Sequence, residues 1–460
     1  MLNPAFPARW SILVLLIMLA IAIFCLILTL YFSRRNIFVK LINIVTALAL
    51  TAGAVLLPYY TDRVERLFPV ISETKIVINL YALTDSPYEK IEDCADAIFI
   101  SAFDSDPENQ EYAIQQLRSQ LSERVYISDK KTAEDAAERL LSGHGDVLIM
   151  SQAFEGILTD TEAFEDFSER TKVIGSYERV IEIPEPSGSA LLTEQPFTVF
   201  IAGNDQTGDL SYFGRTDVNM LVTVNPLTHQ VLLVNYPRDS YVKNPAYNDA
   251  MDKLTHLGMS GMNNTLKGLK EISGTDVDHY ILVNFSTFHN IITALHGIEI
   301  DNPYKFTAIN GMKFEEGRIS LNADEALMYV RERKRIPGGD FGRIQHQQIV
   351  MKAIIEKVTG PDVIVHFDGL LKAIEGQFLT SMKPDQIFAL CRRQLDENAS
   401  WSVISYHITG RTGTSKCASF SNSQLAVVYP DKNQLEFTAG EIQEIKSGRL
   451  IEQKEIPEAR

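Results

Sequence analysis

Cysteine is scarce in this chain, with four in 460 residues. That excludes a disulfide scaffold, and no CxxC pair or Cys/His cluster at zinc-ligand spacing occurs. Cys391 and Cys417 are 26 positions apart, and their spacing leaves open a disulfide or two separate thiols. An excess of basic charge is also missing. Lys+Arg number 43 against 59 Asp+Glu, a net charge of -16. Non-specific nucleic-acid binding needs cations to neutralise phosphates, so that class is disfavoured. The familiar catalytic signatures are absent too: no GxSxG, HExxH, Walker loop or GxGxxG. No repeat of a solenoid period occurs.

Charge of either sign is rare in one place, the N-terminus. Residues 1–60 hold Arg9, Arg34, Arg35 and Lys40 and no acid. Residues 10–32 run 23 positions without a charge, long enough to span a bilayer with some tilt. Residues 41–60 form a second, shorter apolar run. The basic residues between them predict a cytoplasmic loop, with residues 61–460 outside the membrane. The expected layout is a membrane anchor at 1–60 and an accessory α/β domain at 61–190. A larger α/β domain with a C-terminal extension follows at 191–460.

The accessory part is acidic, with 25 acids against 10 bases in residues 72–190. TKIVINLYAL reads as a strand, and DPENQEYAIQQLRSQL as a helix. VYIS reads as a short strand, and TAEDAAERLLSG as a helix with a Thr cap and a Gly stop. GDVLIMS reads as a buried strand, and a Pro/Ser/Gly-rich linker follows Ile183. In the larger domain FTVFIAG is a strand that runs into a polar loop. VNMLVTVN and VLLVNYP are β runs joined by PLTHQ as a hairpin. LNADEALMYVRERKR predicts a helix capped by Asn322, and another helix follows the Gly-Gly turn at 338–339. The expected fold is a mixed sheet with flanking helices.

Arginine and aspartate gather in that second domain. Asp205 follows a strand, and Arg215 and Asp217 enter the next. Arg238 and Asp239 follow a third strand, and Arg331, Arg333 and Arg335 alternate at a predicted helix end. Asp340, Arg343 and Gln347 come next, the last two on one helical face. Arginine offers a charged planar fork that matches phosphate oxygens. Two carboxylates at a strand mouth can hold Mg²⁺ together with substrate phosphates. The competing account is a set of surface salt bridges.

Several ordered segments carry a more specific signal: FIAGND, GRTDVNMLVTVNP, VNYPRDSYV, DKLTHLGMSGMNNTLKGL, VDHYILVNFSTF and VRERKRIPGGDFGRIQHQQ. Over roughly 195–358 the chain resembles the LytR-CpsA-Psr family, and its layout resembles the capsule-synthesis subgroup. The resemblance implies transfer of a glycopolymer with one phosphate from undecaprenyl pyrophosphate to a peptidoglycan sugar, at the membrane of a Gram-positive bacterium. It implies Asp205 and Asp217 as carboxylates for Mg²⁺, or Mn²⁺ in its place. It implies Arg215, Arg238, Arg331, Arg333, Arg343 and Gln347 as pyrophosphate contacts, with Arg215, Arg238 and Asp340 as catalytic residues. Asp340 would orient an arginine or accept a proton. The prenyl chain would lie in an apolar tunnel that VNMLVTV, ILVNF and IITAL could line.

Partners implied are the polyprenyl pyrophosphate-linked glycan, peptidoglycan, the membrane and capsule-synthesis proteins. One position departs from the pattern: His346 stands where many members carry Arg, and His can replace it only when protonated. Two other functions stay open. One is a binding or regulatory protein of capsule assembly, and the other is hydrolysis of the pyrophosphate by water. The paired aspartates favour catalysis, because a pure binder needs no metal-holding pair.

Overall fold

The computed structural model describes residues 72–121, 125–183, 192–204, 210–360 and 379–459. Both expected membrane spans and Asp205 lie outside the described residues. Among the described residues no helix is long and apolar enough to cross a membrane.

The first sheet has five strands in the order β3-β2-β4-β1-β5. These are β1 (Glu73–Leu83), β2 (Phe99–Ser101), β3 (Ile127–Lys130), β4 (Val147–Ser151) and β5 (Thr171–Glu182). β1 runs antiparallel to β4 and β5, while β2 runs parallel to β3 and β4. Helix α1 (Pro107–Gln120) packs Ala113 and Leu117 on one face, beside Ile78, Leu80 and Phe99. Helix α2 (Ala133–Leu141) packs Ala133, Ala136, Ala137 and Leu140 on the other, beside Tyr81 and Leu148. The Thr132 hydroxyl accepts from the Asp135 amide, so the predicted cap of α2 forms. β5 is the strand that the sequence hides. It carries Lys172, Glu178, Arg179 and Glu182, and along most of its length half-buried residues alternate with exposed ones at a sheet edge.

The second sheet has six strands, laid in the order β14-β11-β6-β7-β8-β15. Its centre is β6 (Phe197–Gly203), β7 (Val218–Asn225) and β8 (Gln230–Asn235), joined antiparallel. The predicted 226–230 hairpin closes with His229 at φ 52. The small β9 (Tyr241–Asn244) and β10 (Ala250–Lys253) pair beside the sheet. Helix α3 (Met262–Ser273) then leads to β11 (His279–Val283), which returns parallel to β6. Helix α4 (Phe285–Ala294) is capped by the Asn284 side chain, which accepts from the Thr287 amide. A hairpin, β12 (Ile298–Asn302) with β13 (Gly317–Leu321), precedes helices α5 (Ala323–Arg331) and α6 (Asp340–Thr359). The short β14 (Leu379–Thr380) closes one sheet edge, and helix α7 (Pro384–Glu397) follows.

Both faces of this sheet are buried, so its strands read as unbroken apolar runs. Phe200, Leu221, Leu232 and Val234 face one core with Leu269. Val199, Met220, Val222 and Leu233 face the other with Met351 and Leu390.

The C-terminal extension belongs to the same architecture. β15 (Ser402–His407) adds parallel to β8 as the far edge strand. β16 (Gly410–Cys417) and β17 (Phe420–Pro430) form a hairpin, and α8 (Lys432–Lys446) seats Ile442 and Ile445 in the core with Leu269. Phe420 at the hairpin turn is buried in the core of the first sheet with Met259. The Asn422 and Ser423 amides donate to Glu134 at the start of α2. Cys391 on α7 and Cys417 at the end of β16 are free thiols, which decides against the disulfide.

Candidate functional site

The site collects where β7, β8 and the N-terminus of α6 meet. Asp217 sits one residue before β7, and Arg238 three residues after β8. Arg238 Nη1 donates to Asp217 Oδ1 across 2.9 Å, with both side chains 18% exposed. Asp239 lies 3.8 Å from Arg238 Nε and accepts Lys253 Nζ at 2.9 Å. Burial alone would lower the Arg238 pKa, but Asp217 and Asp239 hold it raised.

On α6, Arg343 Nη2 meets Asp340 Oδ1 at 2.6 Å, one turn apart. Burial pushes the Arg343 pKa down, and Asp340, Arg238, Asp217 and Arg333 all act on it electrostatically. These five groups therefore share one field. Gly338 and Gly339 take φ of 76° and 57°, a sharp turn into α6 that L side chains resist.

The predicted helix through Arg335 ends earlier, at Arg331. Glu332 is the cause. Its Oε1 accepts the amides of Arg333, Lys334 and Arg335 at 3.0, 2.9 and 3.2 Å. Its Oε2 accepts the Ile309 amide at 2.7 Å. Desolvation would raise its pKa, but these four backbone donors hold it below the ordinary carboxylate range. A side chain that binds the next three N–H groups replaces the helical ladder with a turn. Arg333, Lys334 and Arg335 are exposed on that turn. Arg331 lies over the Phe285 ring, 4.2 Å from its centroid.

Phe285 lines an apolar cleft with about 640 Å³ of free space, open solvent included. Val218 and Met220 of β7, Val283 of β11, Phe288 of α4, and Val350, Met351 and Ile354 of α6 form its walls. Asn204, Asp217, Asn284 and Gln347 supply its polar atoms. Of the three runs expected to line a tunnel, those of β7 and β11 contribute to this cleft. IITAL does not: Ile292 and Leu295 pack instead with Ile300, Phe314 and Tyr329.

Arg215 is not among the residues that line the cleft, and its Nη1 lies 3.2 Å from Asp160 Oδ2. His346 is fully buried: Nδ1 donates to the Tyr329 carbonyl at 2.9 Å, and Nε2 accepts from the Tyr304 hydroxyl at 3.0 Å. It stacks on Tyr329 at 3.9 Å, and burial lowers its pKa to about 4. It is a neutral core residue, not a stand-in for an arginine.

Asp217, Asn204 and Gln347 give the cleft mouth oxygen donors only, the chemistry that suits Mg²⁺. A different cluster has mixed donors: Asp252, His256 and Cys417, all buried. Burial and Asp252 push the Cys417 thiol up to about 12. Asp252 accepts from His256, Asn244, and the Lys253 and Ser419 amides. That is a satisfied hydrogen-bond network around a protonated thiol.

Sequence reasoning missed Glu332, the α6 wall of the cleft and Asp160. The acid inside the R-E-R-K-R run was the one visible sign of Glu332.

Polyisoprenyl-teichoic acid–peptidoglycan teichoic acid transferase TagU of Bacillus subtilis is 33% identical over 223 residues, 48% of this chain and 70% of the relative. The same-named protein of Bacillus licheniformis is 34% identical over 195 residues, 42% of this chain and 62% of the relative. The crystal structure of B. subtilis TagV matches 56% of this chain and 99% of its own, at 23% identity and a TM-score of 0.47. The LytR_cpsA_psr family model matches residues 158–435, more than half of the chain, and the chain belongs to that family.

Proposed function

We propose that this protein is a Mg²⁺-dependent phosphotransferase that moves a glycopolymer from a polyprenyl pyrophosphate carrier to peptidoglycan. One observation carries this: an apolar cleft whose polar mouth holds Asp217 and Gln347, backed by Arg238 and Arg343. An apolar groove ending in guanidinium groups suits one kind of ligand, a long lipid with an anionic head. Arg238, Arg343, Arg333 and Arg331 would hold the pyrophosphate oxygens. Asp340 would orient Arg343, whose Nη2 lies 2.6 Å from its Oδ1.

The acceptor hydroxyl oxygen bonds to the glycan-side phosphorus. The bridging P–O bond breaks, polyprenyl phosphate leaves, and the hydroxyl proton passes to solvent or to a leaving oxygen. Mg²⁺, held by Asp217 with Asp205, would neutralise charge on the departing phosphate. The arginines stabilise the same charge from fixed positions.

The apolar runs at 10–32 and 41–60 support a membrane-anchored protein with this site on the outer side. The names of the relatives make teichoic acid the first polymer to try, and capsular polysaccharide the second. Full-length protein in detergent should link the glycan of a lipid-linked donor to peptidoglycan through a phosphodiester. Release of free glycan phosphate in equal amount without peptidoglycan would instead identify a hydrolase. Tight donor binding with no turnover would identify a carrier.

A further inference from the structure

We propose that the tip of the 306–314 hairpin and the basic turn at 333–335 form a contact surface for an anionic lipid bilayer, beside the apolar cleft. The inference rests on the function proposed above for its purpose, delivery of a lipid-linked donor, and is measured without any donor.

Glu332 joins the two segments. Its Oε2 accepts the Ile309 amide at 2.7 Å, and its Oε1 accepts the amides of Arg333, Lys334 and Arg335. One buried carboxylate therefore holds both turns side by side. The hairpin is firmly based below its tip. Phe306 and Thr307 pair with Phe314 and Lys313, and the Phe306 and Phe314 rings stack at 4.8 Å in the core. Above them the Ala308 amide donates to the Met312 carbonyl, and Gly311 closes the turn at φ 90. Ile309, at that tip, is 58% exposed.

A lone exposed isoleucine is ordinary on a protein surface. This one stands beside three exposed cations. Among the described residues no carboxylate pairs with the side chains of Arg333, Lys334 or Arg335. Arg333 is given to the donor above, which leaves Lys334 and Arg335 for bulk headgroups. The cleft lies next to this surface: Val330 lines it, and Arg331 lies over the cleft residue Phe285. An apolar side chain flanked by unpaired cations suits a membrane surface. The apolar group enters the headgroup boundary, and the cations meet anionic headgroups. Charge elsewhere favours the same orientation. Residues 72–190 carry 25 acids against 10 bases, so a negative surface repels that unit and attracts the turn. The apolar runs at 10–32 and 41–60 would keep such a surface within reach. A lipid tail leaving the bilayer would then meet the cleft with little exposure to water.

The test uses full-length protein in phosphatidylcholine vesicles with and without phosphatidylglycerol. Ile309→Trp is the reporter, read against the wild type, whose own two tryptophans set the baseline. Brominated phosphatidylcholine should quench the added tryptophan when phosphatidylglycerol is present. Lys334→Gln with Arg335→Gln should cut that quenching by about half or more. Raising the salt to about 1 M, where the screening length falls to about 3 Å, should do the same. Leu227→Trp is the control: Leu227 is 55% exposed, beyond the opposite end of β7, and should not be quenched. With donor added, Ile309→Ser plus Lys334→Gln should raise KM several-fold for donor in vesicles and leave it unchanged in detergent. No quenching at position 309, or equal quenching at 227, would overturn the proposal. So would quenching indifferent to phosphatidylglycerol. Slowed transfer in the Gln variants without quenching at 309 would assign these cations to the anionic glycopolymer and overturn it too. A wild type that transfers nothing, with the quenching intact, would remove the function proposed above and leave this contact standing.

Discussion

Arg238 Nη1 lies 2.9 Å from Asp217 Oδ1, so the carboxylate expected to face a metal already neutralises a guanidinium. Both side chains are largely removed from water. Two cations, one fixed and one exchangeable, would therefore share this carboxylate when Mg²⁺ and substrate bind. The pair couples fold and chemistry, and variants on its two sides should behave differently.

Removing the fixed cation is the first case. Arg238→Ala should lower transfer about 100- to 1,000-fold, as removal of a preorganised donor does. It should also cost about 1–3 kcal/mol of stability, because Asp217 keeps its burial and loses its partner. Arg238→Lys should restore the stability better than the rate, since a point charge lacks the planar fork. Transfer rates beside thermal unfolding midpoints check this, and full activity in the Ala variant would exclude Arg238 from the site.

The exchangeable cation is the second case. EDTA should abolish transfer, and Mg²⁺ or Mn²⁺ should restore it. Asp217→Asn should raise the Mg²⁺ concentration needed for half-activation and cut transfer sharply. It should also loosen Arg238 by removing its charge partner. A wild type indifferent to EDTA would leave the arginines as the sole holders of the phosphate charge.

Glu332 gives a third prediction. Four backbone amides converge on its carboxylate, which is 3% exposed. Glu332→Ala leaves those donors without their partner and should cost about 2–3 kcal/mol. The turn bearing Arg333 and Arg335 should loosen, raising KM for the lipid donor about tenfold while kcat changes less. Donor-concentration series on the Ala and Gln variants check it. An unchanged KM with lowered stability would make Glu332 purely structural.

Much of this was legible in the sequence because local physics decides it. The buried strands β6 to β8 announce themselves as apolar runs with a turn between them, and Thr132 and Asn322 mark helix starts. The cluster of Asp217, Arg238, Asp340 and Arg343 could be named because the motifs carry those residue types in order. What stayed hidden depends on contacts across the chain. β5 looks too charged for a strand until β1 lies beside it. Arg215 finds Asp160, 55 positions earlier. The extension reads as an appendage, yet β15 extends the central sheet and Phe420 enters the first core. Periodicity within a segment carries no record of such partners.

His346 supports the last prediction. Its Nδ1 must carry a proton, because the Tyr329 carbonyl it meets can only accept. Its Nε2 then accepts from the Tyr304 hydroxyl, which fixes the neutral tautomer. Three aromatic rings surround it: Tyr329, Phe306 and Tyr304. A charge placed there loses hydration, so the pKa falls from the ordinary 6.5 to about 4. In the unfolded chain the imidazole takes a proton near pH 6.5, while in the folded chain it resists until about pH 4. The stability from this residue is therefore complete above pH 6.5 and lost as pH falls from there to about 4, by about 3 kcal/mol in all. Urea midpoints of the wild type at pH 7.5 and 4.5 should differ by more than those of His346→Gln. His346→Arg, which restores the residue common in the family, should not behave as a gain. A fixed charge inside this aromatic nest meets the field of Glu332, but that carboxylate is committed to four backbone amides, so the charge should destabilise by several kcal/mol at every pH. An Arg variant as stable as the wild type would show that position 346 can turn outward to the phosphate site.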